Sequence, residues 1–311
     1  MSIARRHLAV LAALPLVLTG CASASGTAGS ADGAVQVMAS FYPLQFVAEQ
    51  VGGDRVSVQS MTPPGAEPHD VELSPAQVSR IDTADLVVYL SGFQAAVDDA
   101  IAQTSPAHVV DAASDTTLMS PAEEHHEDET EAEHEEHEHG DLDPHFWLDP
   151  SRVPSVVQDV ADTLTELDPD GAETFAANAA ALTQRFEDLD AAYATGLAQC
   201  DSRTFVTTHE AFGYLADRYD LEQVGISGVD PEAEPSPARL AAVEKIVRDE
   251  GVTTIFFETL VSPKVAETLA ADLGVDTAVL DPIEGLADPD ADYFSIAEAN
   301  LAALRVALSC S

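Results

Sequence analysis

EPSPARLAAVEKIVRDEGVTTIFFE, residues 234–258, and ELSPAQVSRIDTADLVVYL, residues 72–90, share a Ser-Pro-Ala followed by a helical pattern and then an apolar, β-rich run. In both, the serine ahead of the proline is placed to cap a helix, and the proline takes the first helical position, where its missing N–H costs nothing. Helix followed by buried strand is half of a βαβ unit. Its appearance once in each half of a 311-residue chain predicts a duplicated α/β lobe.

The same alternation continues outward. VQVMAS (35–40), VSVQSM (56–61), LVVYL (86–90) and HVVDA (108–112) read as strands, with PLQFVAEQVGG (43–53) and SPAQVSRIDTA (74–84) as helices among them. In the second half TFVTT (204–208), EQVGIS (222–227), TTIFFE (253–258) and DTAVL (276–280) alternate with AFGYLADRY (211–219), SPARLAAVEKIVRDEG (236–251) and SPKVAETLAADLG (262–274). Strands alternating with helices predict parallel sheets. Between the halves, the stretch after Asp168-Pro169-Asp170-Gly171 keeps helical periodicity as far as Cys200 without a proline. About 28 residues rising 1.5 Å each make a rod of about 40 Å, a stiff connector that limits wide hinge closure.

Charge narrows the function. Thirteen Lys plus Arg against 55 Asp plus Glu leave a formal net charge of -42, which repels nucleic acid and anionic lipid and attracts cations. The start reads as an export signal: Arg5 and Arg6, an apolar stretch from Leu8 to Leu18 too short to span a bilayer, then Leu18-Thr19-Gly20-Cys21. That tetrad matches the bacterial lipobox, which implies cleavage before Cys21, lipidation of its thiol and a protein tethered to the outer face of the cell membrane. Residues 22–33 are small and polar, as a flexible tether requires. With Cys21 lipidated, Cys200 and Cys310 remain as a pair in an oxidising compartment, and a disulfide is expected, two free thiols being the alternative. The expected organisation is a signal peptide (1–20), a tether (21–33), an N-terminal α/β lobe (34–149), connecting helices (150–200) and a C-terminal α/β lobe (201–311).

The histidines divide into two groups. His125, His126, His134, His137 and His139 crowd into HHEDETEAEHEEHEHG, residues 125–140, almost without apolar side chains. A run with nothing to bury is expected to be a solvated loop (121–140) whose histidines, without fixed geometry, would bind zinc weakly and exchange it quickly; collecting zinc near the main site, sensing zinc excess, and being a plain acidic insert are all open roles for it. His69 in PPGAEPHDVELSP, His145 in DLDPHFWLDP and His209 in TFVTTHEAFGYL each follow a strand or an ordered turn, at the sheet edge where open α/β folds bind ligands. Singly, each could cap a helix or bond a carbonyl; together they are better explained by a ligand held in a cleft.

At this point the chain resembles the zinc and manganese cluster of solute-binding lipoproteins of bacterial ABC importers. FYPLQFVAEQVGG, PPGAEPHDVELSP, DPHFWLDP, TFVTTHEAFGYLADRY, AEPSPARL, FFETLVSPKVAETLA and VLDPIEG carry the likeness, in order, across nearly all of the chain after the tether. The resemblance implies two pseudo-symmetric (βα)4-like lobes joined by one long rigid helix, with the metal in a cleft between them and held by His69, His145, His209 and Asp281. In some zinc-type members water stands in for the last carboxylate, and Glu258 is a rival for it, better suited to orienting a histidine than to binding metal. Histidine at position 209 is the zinc-type choice, where manganese-type members carry a carboxylate. Independently, three imidazoles and one carboxylate suit tetrahedral Zn²⁺ better than Mn²⁺, which favours more oxygen and higher coordination. Phe146 and Trp147 are expected to pack the cleft wall.

The resemblance thus implies a receptor that delivers Zn²⁺ to an ABC permease with a cytoplasmic ATPase. Alternatives are a manganese receptor of the same family, or a zinc-buffering or adhesive surface lipoprotein. A zinc hydrolase is disfavoured: HEAFG places Gly213 where an H-E-x-x-H motif needs its second histidine. No Gly-rich phosphate loop is present, and no catalysis is expected of the chain.

Overall fold

Ser74 and Ser236 cap their helices as the repeated stretch predicts, in a computed structural model that describes residues 33–120 and 142–311. Ser74 Oγ accepts from the Gln77 N–H at 3.3 Å, and Ser236 Oγ from the Arg239 N–H at 3.1 Å. The likeness extends to the side chains three residues on. Gln77 Nε2 donates to the Met61 carbonyl at 2.8 Å, and Arg239 Nη2 to the Gly225 carbonyl at 2.7 Å. Each ties the start of its helix to the end of the second strand of its own sheet, so the sequence repeat is also a repeat of hydrogen bonding.

The first half runs β1 (Val35–Ala39), α1 (Tyr42–Gly52), β2 (Val56–Ser60), α2 (Pro75–Thr83), β3 (Leu86–Tyr89), α3 (Ala95–Thr104), β4 (Val109–Asp111) and the single turn α4 (Ala112–Asp115). Then come α5 (Val153–Leu167) and α6 (Ala172–Gly196). The second half is β5 (Thr204–Thr207), α7 (Gly213–Arg218), β6 (Glu222–Gly225), α8 (Pro237–Asp249), β7 (Thr254–Phe257), α9 (Lys264–Leu273), β8 (Asp276–Val279) and α10 (Tyr293–Ala307). All eight expected strands form. They make two parallel sheets with the same order, β2-β1-β3-β4 and β6-β5-β7-β8. In each sheet the chain leaves the first strand one way and returns on its other side. The strand ends next to such a reversal form a crevice, and this is where ligands of open α/β sheets sit.

The connector α6 is 25 residues long, ending four residues short of Cys200. It buries Phe175, Ala179, Leu182, Phe186, Leu189 and Tyr193, a spacing of alternating threes and fours that keeps one apolar stripe inward. That stripe meets α1, α5 and α10, and Tyr193 donates its hydroxyl hydrogen to the Ala297 carbonyl at 2.7 Å. The main apolar core is therefore shared, running from Val35 in β1 to Leu308 beyond α10. Trp147 is its cross-link: it packs edge-on against Phe41, donates its indole N–H to the Pro282 carbonyl at 2.8 Å, and its own carbonyl accepts from Tyr293. Opening the lobes by a wide hinge would split this core, which explains why a long helix, rather than loose crossovers, joins them.

Cys200 and Cys310 form a disulfide. Beside it, Ser202 N–H donates to Leu308 O at 3.2 Å and Ser311 N–H to Gln199 O at 2.9 Å, so the end of α10 is pinned to the segment that enters β5. No helix among the described residues is long and apolar enough to cross a membrane. Cys21, and His125, His126, His134, His137 and His139, lie outside the described residues.

Closing 110 residues of chain, the disulfide is expected to contribute about 4 to 5 kcal/mol on the chain-entropy model. Urea unfolding of the Cys200→Ser, Cys310→Ser variant should show a midpoint shifted down by a loss of this order.

Candidate metal centre

Four side chains converge at the carboxyl ends of the two sheets. His69 stands on the segment between β2 and α2, and His145 opens a short helical turn, Phe146–Leu148, ahead of α5. His209 lies two residues past β5, and Glu284 on the segment between β8 and α10. One ligand atom from each of the four lies within 4.8 Å of all the others. Glu284 Oε1 is 3.0 Å from His145 Nε2, 3.5 Å from His69 Nε2 and 3.6 Å from His209 Nε2. His145 Nε2 and His209 Nε2 are 3.4 Å apart. His145, His209 and Glu284 are buried; His69 is the most accessible, its side chain 13% exposed.

Two of the rings are oriented from behind. Asp143 accepts from both the backbone N–H of His145 at 3.0 Å and its Nδ1 at 2.7 Å. Tyr214 donates to the Asp143 carbonyl and accepts from the Met119 N–H, each at 2.7 Å, which fixes the stretch carrying Asp143. Glu258, at the end of β7, accepts from His209 Nδ1 at 2.6 Å and also from the Thr208 hydroxyl. The His209 carbonyl is held by Thr207 Oγ1 at 2.6 Å and Gln223 Nε2 at 3.0 Å. A carboxylate on Nδ1 fixes the tautomer: Nδ1 carries the hydrogen and Nε2 keeps its lone pair. The lone pairs of His145 and His209 thus face each other and a carboxylate oxygen. Nε2 of His69, buried and without a hydrogen-bond partner, faces the same point. Electron pairs gathered this way away from water repel unless a cation or protons lie between them.

In the absence of a cation, the neighbouring carboxylates favour protonation of His145 and His209. Burial pushes the His209 pKa down, but the Glu258 carboxylate, with help from Glu284, outweighs it and raises it to about 10. Burial likewise works against a charged His145, and Asp143 and Glu284 overcome it to raise its pKa. Glu284 is driven up by burial, yet the imidazoles of His145, His209 and His69 around it hold it well below the usual carboxylate range. The site is built to carry positive charge.

Asp281, expected from the sequence as the fourth ligand, lies outside this cluster; the carboxylate that joins the three histidines is Glu284, three residues on. The reason is local. Asn300 accepts from Asp281 N–H at 2.9 Å and donates to its carbonyl at 2.6 Å, which anchors the backbone. The Asp281 carboxylate is then taken by Thr259 Oγ1 and by the Ile283 N–H, both at 2.8 Å. Ile283 has φ of 59°, a left-handed conformation that a β-branched residue rarely adopts. That turn sends Glu284 inward, and Asp281 holds it. VLDPIEG contains both carboxylates, so the motif pointed to the right segment; the strained isoleucine that separates them carries no sequence signal. Phe146 and Trp147 are both 1% exposed, and the Trp147 ring lies 5.2 Å from that of His145. A side chain at Gly213 would meet Asp143 Oδ2 at 2.9 Å, leaving no room for the second histidine of an H-E-x-x-H motif, and Glu210 faces Arg239 at 2.9 Å.

Residues 37–307 match the family model described as "ZnuA: Zinc-uptake complex component A periplasmic". The zinc-binding lipoprotein AdcA of Streptococcus pneumoniae is 39% identical over 282 residues, covering 88% of this chain and 56% of that protein, so the chain spans little more than half of it. The high-affinity zinc uptake system protein ZnuA of Bacillus subtilis is 37% identical over 309 residues, covering 96% of each chain. Among solved structures, the Zn(II)-bound ZnuA-like domain of Streptococcus pneumoniae AdcA superposes with a TM-score of 0.74 at 36% identity, covering 89% of this chain and 99% of that domain. With the fold, the strand-end cluster and a match that runs through both lobes in agreement, the chain belongs to the ZnuA family of zinc-uptake components.

Proposed function

We propose that this protein is an extracytoplasmic zinc receptor that holds Zn²⁺ through His69, His145, His209 and Glu284 and hands it to an ABC permease driven by a cytoplasmic ATPase. The observation that carries the reading is the convergence of three imidazole nitrogens and one carboxylate oxygen, all within 4.8 Å of one another. Nitrogen-rich fourfold sets suit Zn²⁺, whereas Mn²⁺ favours more oxygen ligands. The family membership and the relatives' names support zinc as the cargo and uptake as the purpose. The lipobox ending at Cys21 supports a lipid anchor outside the cell membrane, and the histidine-rich run supports an accessory role in collecting zinc.

Capture exchanges protons for metal. Zn²⁺ replaces the hydrogens on the Nε2 atoms, while Asp143 and Glu258 keep their Nδ1 hydrogens and hold the rings on target. Glu284 stays ionised throughout and offsets one positive charge of the ion. Asp281 acts through the turn at Ile283, aiming Glu284 without touching the metal.

Calorimetric titration of the metal-stripped protein is expected to show one tight zinc site with manganese far weaker; equal preference would overturn the assignment. His145→Ala or His209→Ala should weaken zinc by more than about a hundredfold, beyond the usual loss for an outer partner, and Asp281→Asn by about tenfold. If Asp281→Asn cost as much as Glu284→Gln, the division between these carboxylates would fail.

The pH dependence has a definite sign. With its folded pKa raised to about 10, His209 stabilises the metal-free fold fully below its ordinary value near 6.5, and this is lost as pH rises through about 10. Zinc must displace that proton, so affinity should climb with pH across the same window. Titrations at pH 7.5 in two buffers of different ionisation enthalpy should report proton release; zero release would contradict a protonated resting site.

Deleting residues 123–139 should abolish the weak zinc sites and leave the tight one, as read by the stoichiometry of the same titration.

A further inference from the structure

Gln94 follows β3 at the start of α3, and its side chain is 1% exposed although it lies outside the metal cluster. Its Nε2 donates to the Pro68 carbonyl at 2.9 Å and to Thr62 Oγ1 at 3.0 Å. Thr62 in turn donates its hydroxyl hydrogen to the Ser40 carbonyl at 2.8 Å. One amide therefore joins the ends of β1, β2 and β3 to the residue immediately before His69. A carbonyl only accepts, and the Thr62 hydrogen is already engaged, so position 94 needs a side chain with two N–H hydrogens. The other end of the amide, Oε1, is buried without a partner, a cost borne for the two bonds its nitrogen makes.

His69 is the ligand that depends on such support. His145 and His209 have carboxylates on their Nδ1 atoms and are wholly buried. His69 stands on a segment without helix or strand, from Met61 to Ser74, and no carboxylate among the described residues braces its ring from behind. Its own N–H is held locally by Glu67, and its ring rests edge-on against Phe93 at 4.7 Å, the neighbour of Gln94. The most exposed of the four thus sits on irregular backbone, with Gln94 tying that support to the sheet.

We propose that Gln94 is a positioning residue that latches the His69 arm and thereby sets how fast zinc leaves, a proposal that rests on His69 being a zinc ligand. Releasing the latch lets His69 swing away while His145, His209 and Glu284 stay in place, so the ion loses its outermost ligand first. Gln94→Met keeps the length of the side chain and removes both donors.

The test is zinc release from the full chain into excess chelator, followed by stopped flow, in a double-mutant cycle with His69→Ala. Loss of two hydrogen bonds predicts release about tenfold faster in Gln94→Met, and a change of less than about twofold when the same substitution is made in His69→Ala. An equal acceleration in both backgrounds would mean that Gln94 acts only through the stability of the lobe and would overturn the latch. His69→Ala releasing zinc at the unaltered rate would instead overturn His69 as a ligand. Should Gln94→Met not fold, Thr62→Val removes the hydroxyl that orients the amide while leaving the Thr62 N–H to Ser40 O bond at 3.1 Å. It should speed release about threefold, and an unchanged rate would overturn the proposal.

Discussion

Everything in this molecule turns on electron pairs that face one another in a buried place. Three imidazole nitrogens and a carboxylate oxygen approach to within 4.8 Å, too close to coexist away from water without positive charge between them. Without a cation, the carboxylates beside His145 and His209 favour their protonated rings, raising the His209 pKa to about 10. A doubly charged ion with tetrahedral habits meets that requirement better.

Holding such an arrangement open is work for the surrounding fold. Asp143 and Glu258 fix two rings by taking their Nδ1 hydrogens; Asp281 and Asn300 hold the strained turn at Ile283 that delivers Glu284. Behind these lies a single apolar core that runs through both lobes and is threaded by α6 and Trp147. Because the clustered side chains come from both lobes and the lobes share that core, rigidity and the geometry of the cluster have a common source. Of the three clustered histidines, His69 is the one whose ring has no carboxylate behind it.

The duplication has a functional meaning as well. The two sheets have one strand order and the two Ser-Pro-Ala helices one capping pattern, yet the equivalent Gln77 and Arg239 have diverged. Gln77 tethers a carbonyl and accepts back from the Ser74 N–H at 3.0 Å, whereas Arg239 tethers a carbonyl and pairs with Glu210, beside His209. A repeated scaffold places two crevices at strand ends, and their side chains differ enough to make one asymmetric site between them.

Much of this was legible from residues alone. The eight strands followed from runs of apolar and β-branched residues, because parallel strands are covered on both faces. The caps followed from serine before proline, the long connector from uninterrupted helical periodicity, and the zinc-type family from motifs placed in order along the chain. The cysteine pairing was an expectation that the fold realises. What the chain order could not settle was which groups share a point in space. Glu284 rather than Asp281 enters the cluster because a left-handed isoleucine, which local preference opposes, turns the chain between them. Gln94 reaches the His69 arm only because β1, β2 and β3 bring residues far apart in sequence to one edge. Local pattern determines which elements form, since it acts over a few residues; the site is decided by contacts between elements, and those exist only once the sheets and the shared core have assembled.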